Sequence, residues 1–106
     1  MIHVIASITL KPGMKASYLK ELWPVIPSIR AEQGCIEYGV VEDLLLGLPP
    51  QQESAPDTVV IIERWTDENA LKTHLGAQHM VNLRKRVESI MGGVQLKVLQ
   101  AVSKPV

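Results

Sequence analysis

Apolar and polar positions alternate from Ile2 to Leu10, with Ile2, Val4, Ala6, Ile8 and Leu10 pointing one way and His3, Ile5, Ser7 and Thr9 the other. That two-residue period predicts a strand, and Lys11-Pro12-Gly13 stops it. From about Met14 the period turns helical, placing Leu19, Leu22, Trp23, Ile26 and Ile29 on one stripe and Trp23 in the core. Pro24 and Pro27 interrupt the stripe. Each removes a backbone donor and crowds the preceding turn, so a kink or short break is expected after Trp23. Gly34 is the expected stop.

A second strand is predicted from Cys35 to about Leu44, with Ile36, Tyr38 and Val40 on one face. Residues 43–57 form a connection longer than a hairpin needs, punctuated by Gly47, Pro49, Pro50 and Pro56. Its apolar start (Leu44, Leu45, Leu46, Leu48) suggests packing against something, such as a partner subunit. Thr58 to Trp65 is a continuous apolar run, typical of a strand buried on both faces. Thr66 or Asp67 can cap the next helix, which carries Ala70, Leu71, His74 and Leu75 on one side until Gly76 breaks it. A further helix is expected from about Ala77 to Met91, ended by Gly92-Gly93, and a fourth strand from Val94 to Val102.

This order, β-α-β-β-α-α-β, predicts a single α+β domain over residues 1–106: a ferredoxin-like, four-stranded antiparallel sheet with helices on one face. The first, third and last strands look apolar on both faces. One helix layer cannot cover both sides of a sheet, so the bare face is expected to meet a second copy, giving a homodimer through the sheet faces.

Composition narrows the partners. Eleven basic residues balance eleven acidic ones, which gives no electrostatic case for nucleic acid or an anionic membrane. Arg84-Lys85-Arg86 reads as a solvated face near a helix C-terminus. The single cysteine, Cys35, excludes an intrachain disulfide and fits a reducing compartment. The N-terminus lacks the basic segment and cleavage site of a signal peptide, so a cytoplasmic protein is expected. His74 and His79 are five apart across Gly76, not the i, i+4 spacing of a helical metal site, and no metal or other cofactor is expected.

Four pieces then carry a family likeness: Leu10-Lys11-Pro12-Gly13, Glu32 to Tyr38 at the helix-to-strand turn, Glu63-Arg64-Trp65 ending the third strand, and Ala70-Leu71, His74-Leu75 and His79 on the helices. In this order and spacing the chain resembles the antibiotic biosynthesis monooxygenase domain family, small dimeric α+β barrels that include cofactor-independent quinol and anthrone monooxygenases. The likeness covers nearly the whole chain and departs from it at the long connection. It implies a small aromatic quinol or anthrone-like substrate that supplies its own electrons to dioxygen. The protein must then hold the substrate, exclude water and help remove a proton.

A base with a near-neutral pKa suits that task, which points to His74, on the apolar side of its helix; a buried histidine bonded to a backbone carbonyl is the bland alternative. Trp65 matches the family's strand-ending indole and is expected either to wall the substrate or to fill the core or dimer interface. Further candidate substrate ligands are His79, His3, Tyr38, Glu63 and Arg64. Tyr38 is otherwise a structural residue, and Glu63 and Arg64 otherwise an ion pair across the dimer. Haem-degrading relatives rely on an Asn, a Trp and a haem-ligating His; approximate alignment puts Ala6, His74 and Arg84 there, so haem chemistry is not expected. A non-oxidative isomerase and a non-catalytic binding dimer are the remaining alternatives.

Overall fold

The computed structural model describes residues 1–105. The elements are β1 (Ile2–Leu10), α1 (Lys15–Leu22), a 3₁₀ turn (Trp23–Val25), α2 (Ile26–Arg30), β2 (Cys35–Val41), β3 (Thr58–Trp65), α3 (Glu68–Gly76), α4 (Gln78–Val87), a second 3₁₀ turn (Glu88–Ile90) and β4 (Met91–Leu99). The sheet order is β2-β3-β1-β4, antiparallel throughout. This is the ferredoxin-like α+β arrangement the pattern predicts.

Val4, Ala6, Ile8 and Leu10 on β1 and Val59, Ile61 and Trp65 on β3 are buried on the helix side. Leu22, Val25, Ile26 and Ile29 pack onto them from the first helical segment, and Leu71, Met80, Leu83 and Val87 from the second. The opposite sheet face is open and mixed: Ile5, Ile62, Val41 and Leu99 are exposed among His3, Glu37, Arg64 and Lys97.

The expected break falls at Trp23, but Trp23 itself is 52 % exposed, which corrects its expected place in the core. The tighter 3₁₀ turn shifts the stripe, and Val25 takes the inward position. β4 also differs from expectation. It starts at Met91, so Gly92 and Gly93 lie within the strand instead of ending a helix, and it ends at Leu99. A Cβ on Gly92 would come within 2.9 Å of the Thr9 carbonyl oxygen, beside the β1–β4 register shift at Thr9/Leu10, so glycine allows the close approach. β4 is an edge strand without a helix over it, and Val94, Leu96 and Val98 stay exposed beside Ile8, Ala6 and Val4.

The connection after β2 closes on itself. Ser54 donates from its backbone N–H and its hydroxyl to the Asp43 carboxylate, at 2.6 and 2.9 Å. These bonds hold that carboxyl below its ordinary range. Gln51 bridges Leu44 and Leu46. Leu44, Leu45, Leu46 and Leu48 remain exposed, so their expected packing is not made within the chain.

Candidate active site

The site forms where the turn after α2 meets α3. Asp67 caps α3 by accepting from the Ala70 N–H at 2.8 Å. From that start, His74 falls on the sheet-facing side of the last turn and is 2 % exposed. The helix ends at Gly76, and Ala77 begins a new direction for α4. Across from them, Gly34 adopts φ +85° and lets the chain reverse from α2 into β2. A Cβ there would lie 2.5 Å from the Ala70 Cβ and 2.6 Å from the Thr66 Oγ1, so the turn packs directly on the start of α3. Glu32, two residues earlier, is thereby aimed at the histidines.

Between the helices and the sheet lies a mainly apolar cavity of about 360 Å³, within the range of about 300–1,000 Å³ common for small-molecule sites. Ile8, Ile61, Leu83 and Val87 form its apolar walls, while Glu63, His74, Tyr18 and Tyr38 bring polar groups to it. Leu75, Arg84 and Glu88 also line it, along with the open strand residues Val94 and Leu96. Arg84 donates to the Leu75 carbonyl at 2.8 Å, tying α4 to the end of α3.

His74 Nδ1 sits 3.0 and 2.9 Å from the two oxygens of Glu32. A carboxylate in that position accepts the Nδ1–H and leaves Nε2 as the basic nitrogen. Nε2 is 3.9 Å from Glu63 Oε1. Glu63 in turn accepts from the Trp65 indole N–H at 2.9 Å. The imidazole rests against the indole, with ring centroids 4.6 Å apart, and meets Tyr38 edge-on at 5.8 Å. His79 Nε2 lies 2.7 Å from Glu32 Oε2, within hydrogen-bond distance.

Burial raises the Glu63 carboxyl above its ordinary value, against the lowering effect of the Trp65 bond. Burial also pushes the Tyr18 phenol up to about 12 and the Tyr38 phenol higher still. Both stay protonated at neutral pH and can donate a hydrogen bond. The Cys35 thiol is raised as well, chiefly by burial, which disfavours the thiolate.

Of the residues singled out in the sequence, His74, Glu63 and Tyr38 come together at the cavity. Four others do not, each for a physical reason. Trp65 is fully buried behind His74 and does not line the cavity, so the expected aromatic wall is instead a backing for the imidazole. His79 reaches Glu32 from the surface side. His3 and Arg64 are register partners on the open sheet face, because each is one residue out of step with the buried positions of its strand. Within the chain, Arg64 pairs with Glu37 on the neighbouring strand at 3.5 Å. Glu32 and Tyr18 were not singled out. Tyr18 sits four residues before Leu22 on the helical stripe, a spacing that would have shown it facing inward.

An antiparallel α+β domain with a buried histidine–carboxylate cavity is thus defined. The model of the family described as antibiotic biosynthesis monooxygenase matches residues 1–86. The chain belongs to that family. Escherichia coli (strain K12) has a relative named probable quinol monooxygenase YgiN, 30% identical over 102 residues, which cover 94% of this chain and 97% of the relative. Among solved structures, PA3566 from Pseudomonas aeruginosa superposes with a TM-score of 0.78 at 25% identity, covering 96% of this chain and 94% of its own. A structure titled antibiotic biosynthesis monooxygenase gives a TM-score of 0.78 at 25% identity, covering 97% and 100%.

Proposed function

We propose that this chain is a cofactor-independent monooxygenase acting on a small, flat aromatic quinol or anthrone-like substrate. The observation that carries this reading is the free Nε2 of His74, directed to the polar end of an otherwise apolar cavity. A hydroxyaromatic is a weak donor of electrons to dioxygen until it loses a proton. His74 Nε2 takes that proton, and Glu32 keeps the tautomer in which Nε2 is basic. Tyr18 and Tyr38, held as phenols, donate hydrogen bonds to substrate oxygens. Ile8, Ile61, Leu83 and Val87 exclude water and favour a flat apolar ring. Trp65 fixes the plane of the imidazole.

The substrate supplies the electrons. A quinol and dioxygen give a hydroxyquinone and water: one oxygen atom bonds to a ring carbon and the other leaves with two hydrogens. The name of the Escherichia coli relative supports the quinol class.

The test is dissolved-oxygen uptake with a panel of hydroquinones and anthrones, in the presence of chelator and catalase. His74→Ala is expected to lower kcat/KM by about a hundredfold or more. Trp65→Phe, which keeps the ring's backing but loses the bond to Glu63, is expected to act more mildly. Uptake no faster than autoxidation with every substrate would remove this reading. Conversion without oxygen would move the site to non-oxidative chemistry.

A further inference from the structure

We propose that Glu32 and His79 form a proton relay that connects the buried base His74 to solvent. This rests on reading the cavity as the monooxygenase site. A base sealed from water needs a route by which protons leave its far nitrogen and return to it. His74 is 2 % exposed and cannot hand its proton to water directly. Its Nδ1 side, however, lies 2.9 Å from Glu32 Oε2, and the same oxygen lies 2.7 Å from Nε2 of His79. The His79 side chain is 32 % exposed. Glu32 also borders a second cleft of about 320 Å³ open at the surface, with Gln33, Thr66, Asp67, Asn69 and Thr73 among its lining. One carboxylate therefore touches the buried imidazole on one side and a wet imidazole and cleft on the other.

Orientation alone does not require this arrangement, since a single bond to Glu32 would fix the His74 tautomer. On one continuous helix, residues five apart point about 140° away from each other. The break between Gly76 and Ala77 is what turns His79 back onto the carboxylate that holds His74. His74 otherwise faces Glu63 and Trp65 from β3, Tyr38 from β2, and the cavity that the substrate fills.

The transfer balances as follows. The substrate O–H bond breaks and an N–H bond forms at His74 Nε2. The Nδ1–H of the resulting imidazolium passes to Glu32 and from Glu32 to Nε2 of His79 in the tautomer that carries its hydrogen on Nδ1, and that Nδ1–H goes to water. His74 is left with its hydrogen on Nε2. Donating that hydrogen to the oxygen atom departing as water, while regaining one at Nδ1 through Glu32, restores the starting tautomer. Glu32 and His79 touch no substrate. They are relay residues.

The experiment compares wild type with His79→Gln and Glu32→Gln. Oxygen uptake is followed in weak buffer and with increasing imidazole, alongside nitrogen NMR of the histidine rings in the resting protein. His79→Gln keeps a donor to Glu32. It is expected to lower kcat severalfold with KM unchanged in weak buffer, and to recover as imidazole rises, while wild type is indifferent to imidazole. Glu32→Gln is expected to lose activity that imidazole does not restore, because the gap then adjoins the buried ring. Wild-type rates for His79→Gln in every buffer, or a loss that imidazole does not repair, would overturn the relay. If wild type consumes no oxygen with any quinol, the monooxygenase reading has failed. The relay is then judged on the rings alone: Nδ1–H with bare Nε2 at His74, and both histidines' signals shifted by Glu32→Gln, support it. The opposite tautomer at His74 sinks it.

Discussion

At Glu63 a carboxyl group is 5 % exposed, in a strand of Val, Ile and Trp. Its raised pKa has a consequence for stability. The native state keeps a proton that the unfolded chain releases. The native state is therefore favoured most below the ordinary carboxylate value, and stability falls as pH rises through that value toward the raised one. Glu63→Gln cannot ionise, and its amide oxygen can still accept from Trp65. The variant should gain stability over wild type at about pH 7 and lose that advantage near about pH 4. Urea unfolding at the two pH values checks this; the same difference at both would mean that Glu63 titrates as an ordinary carboxylate. His74, Glu63 and Tyr38 were legible because an apolar setting makes a polar side chain conspicuous. Glu32 was not: it meets His74 from 42 residues away, across a turn whose geometry only the folded chain displays. Trp65 was visible as a large buried ring, but nothing in its spacing tells whether it faces the cavity or the back of another ring.

The element that aligns the site is the Glu32–Gly34 turn packed against α3. Gly34 combines a left-handed backbone with near contact to Ala70 and Thr66. Gly34→Ala should therefore cost about 2 kcal/mol or more, from the unfavourable φ and the overlap together. Chemical denaturation measures it directly, and a cost under about 0.5 kcal/mol would show that α3 can shift away cheaply. The strands, the helix break at Trp23 and the Asp67 cap could all be read from period and punctuation. Two elements could not. A Gly-Gly pair reads as a helix stop, yet Gly92 and Gly93 serve a strand that must pass close to the Thr9 carbonyl. Pro24 and Pro27 mark a break, yet nothing in their spacing tells that the tight turn there expels Trp23.

The molecule as a whole is a slab. Its extents are 50 × 41 × 19 Å, and its radius of gyration is 15.0 Å, against about 13 Å for a compact chain of this length. One sheet and one helix layer account for the thin dimension. Ile5, Val41, Ile62 and Leu99 are exposed on the open face. Among the described residues no helix is long and apolar enough to cross a membrane. We propose that two copies associate through the open sheet faces. Light scattering at micromolar concentration should give twice the chain mass, and Ile62→Lys should shift the mass toward one chain without unfolding it. A single-chain mass for the unaltered protein would contradict the pairing. Residues 42–57 line none of the helix-side cavity; Gln52 to Ala55 instead border a groove on the open face. The long connection thus bears on the sheet face and not on the mouth of the site.

The most direct test of the central claim is the fate of labelled dioxygen. A quinol that the oxygen-uptake panel finds active is turned over under isotopically labelled dioxygen, and the product is weighed by mass spectrometry for wild type and His74→Ala. A hydroxyquinone carrying one labelled atom, formed far more slowly by the variant, is the predicted result. An unlabelled quinone, or labelled product formed at the same rate without His74, would contradict the account.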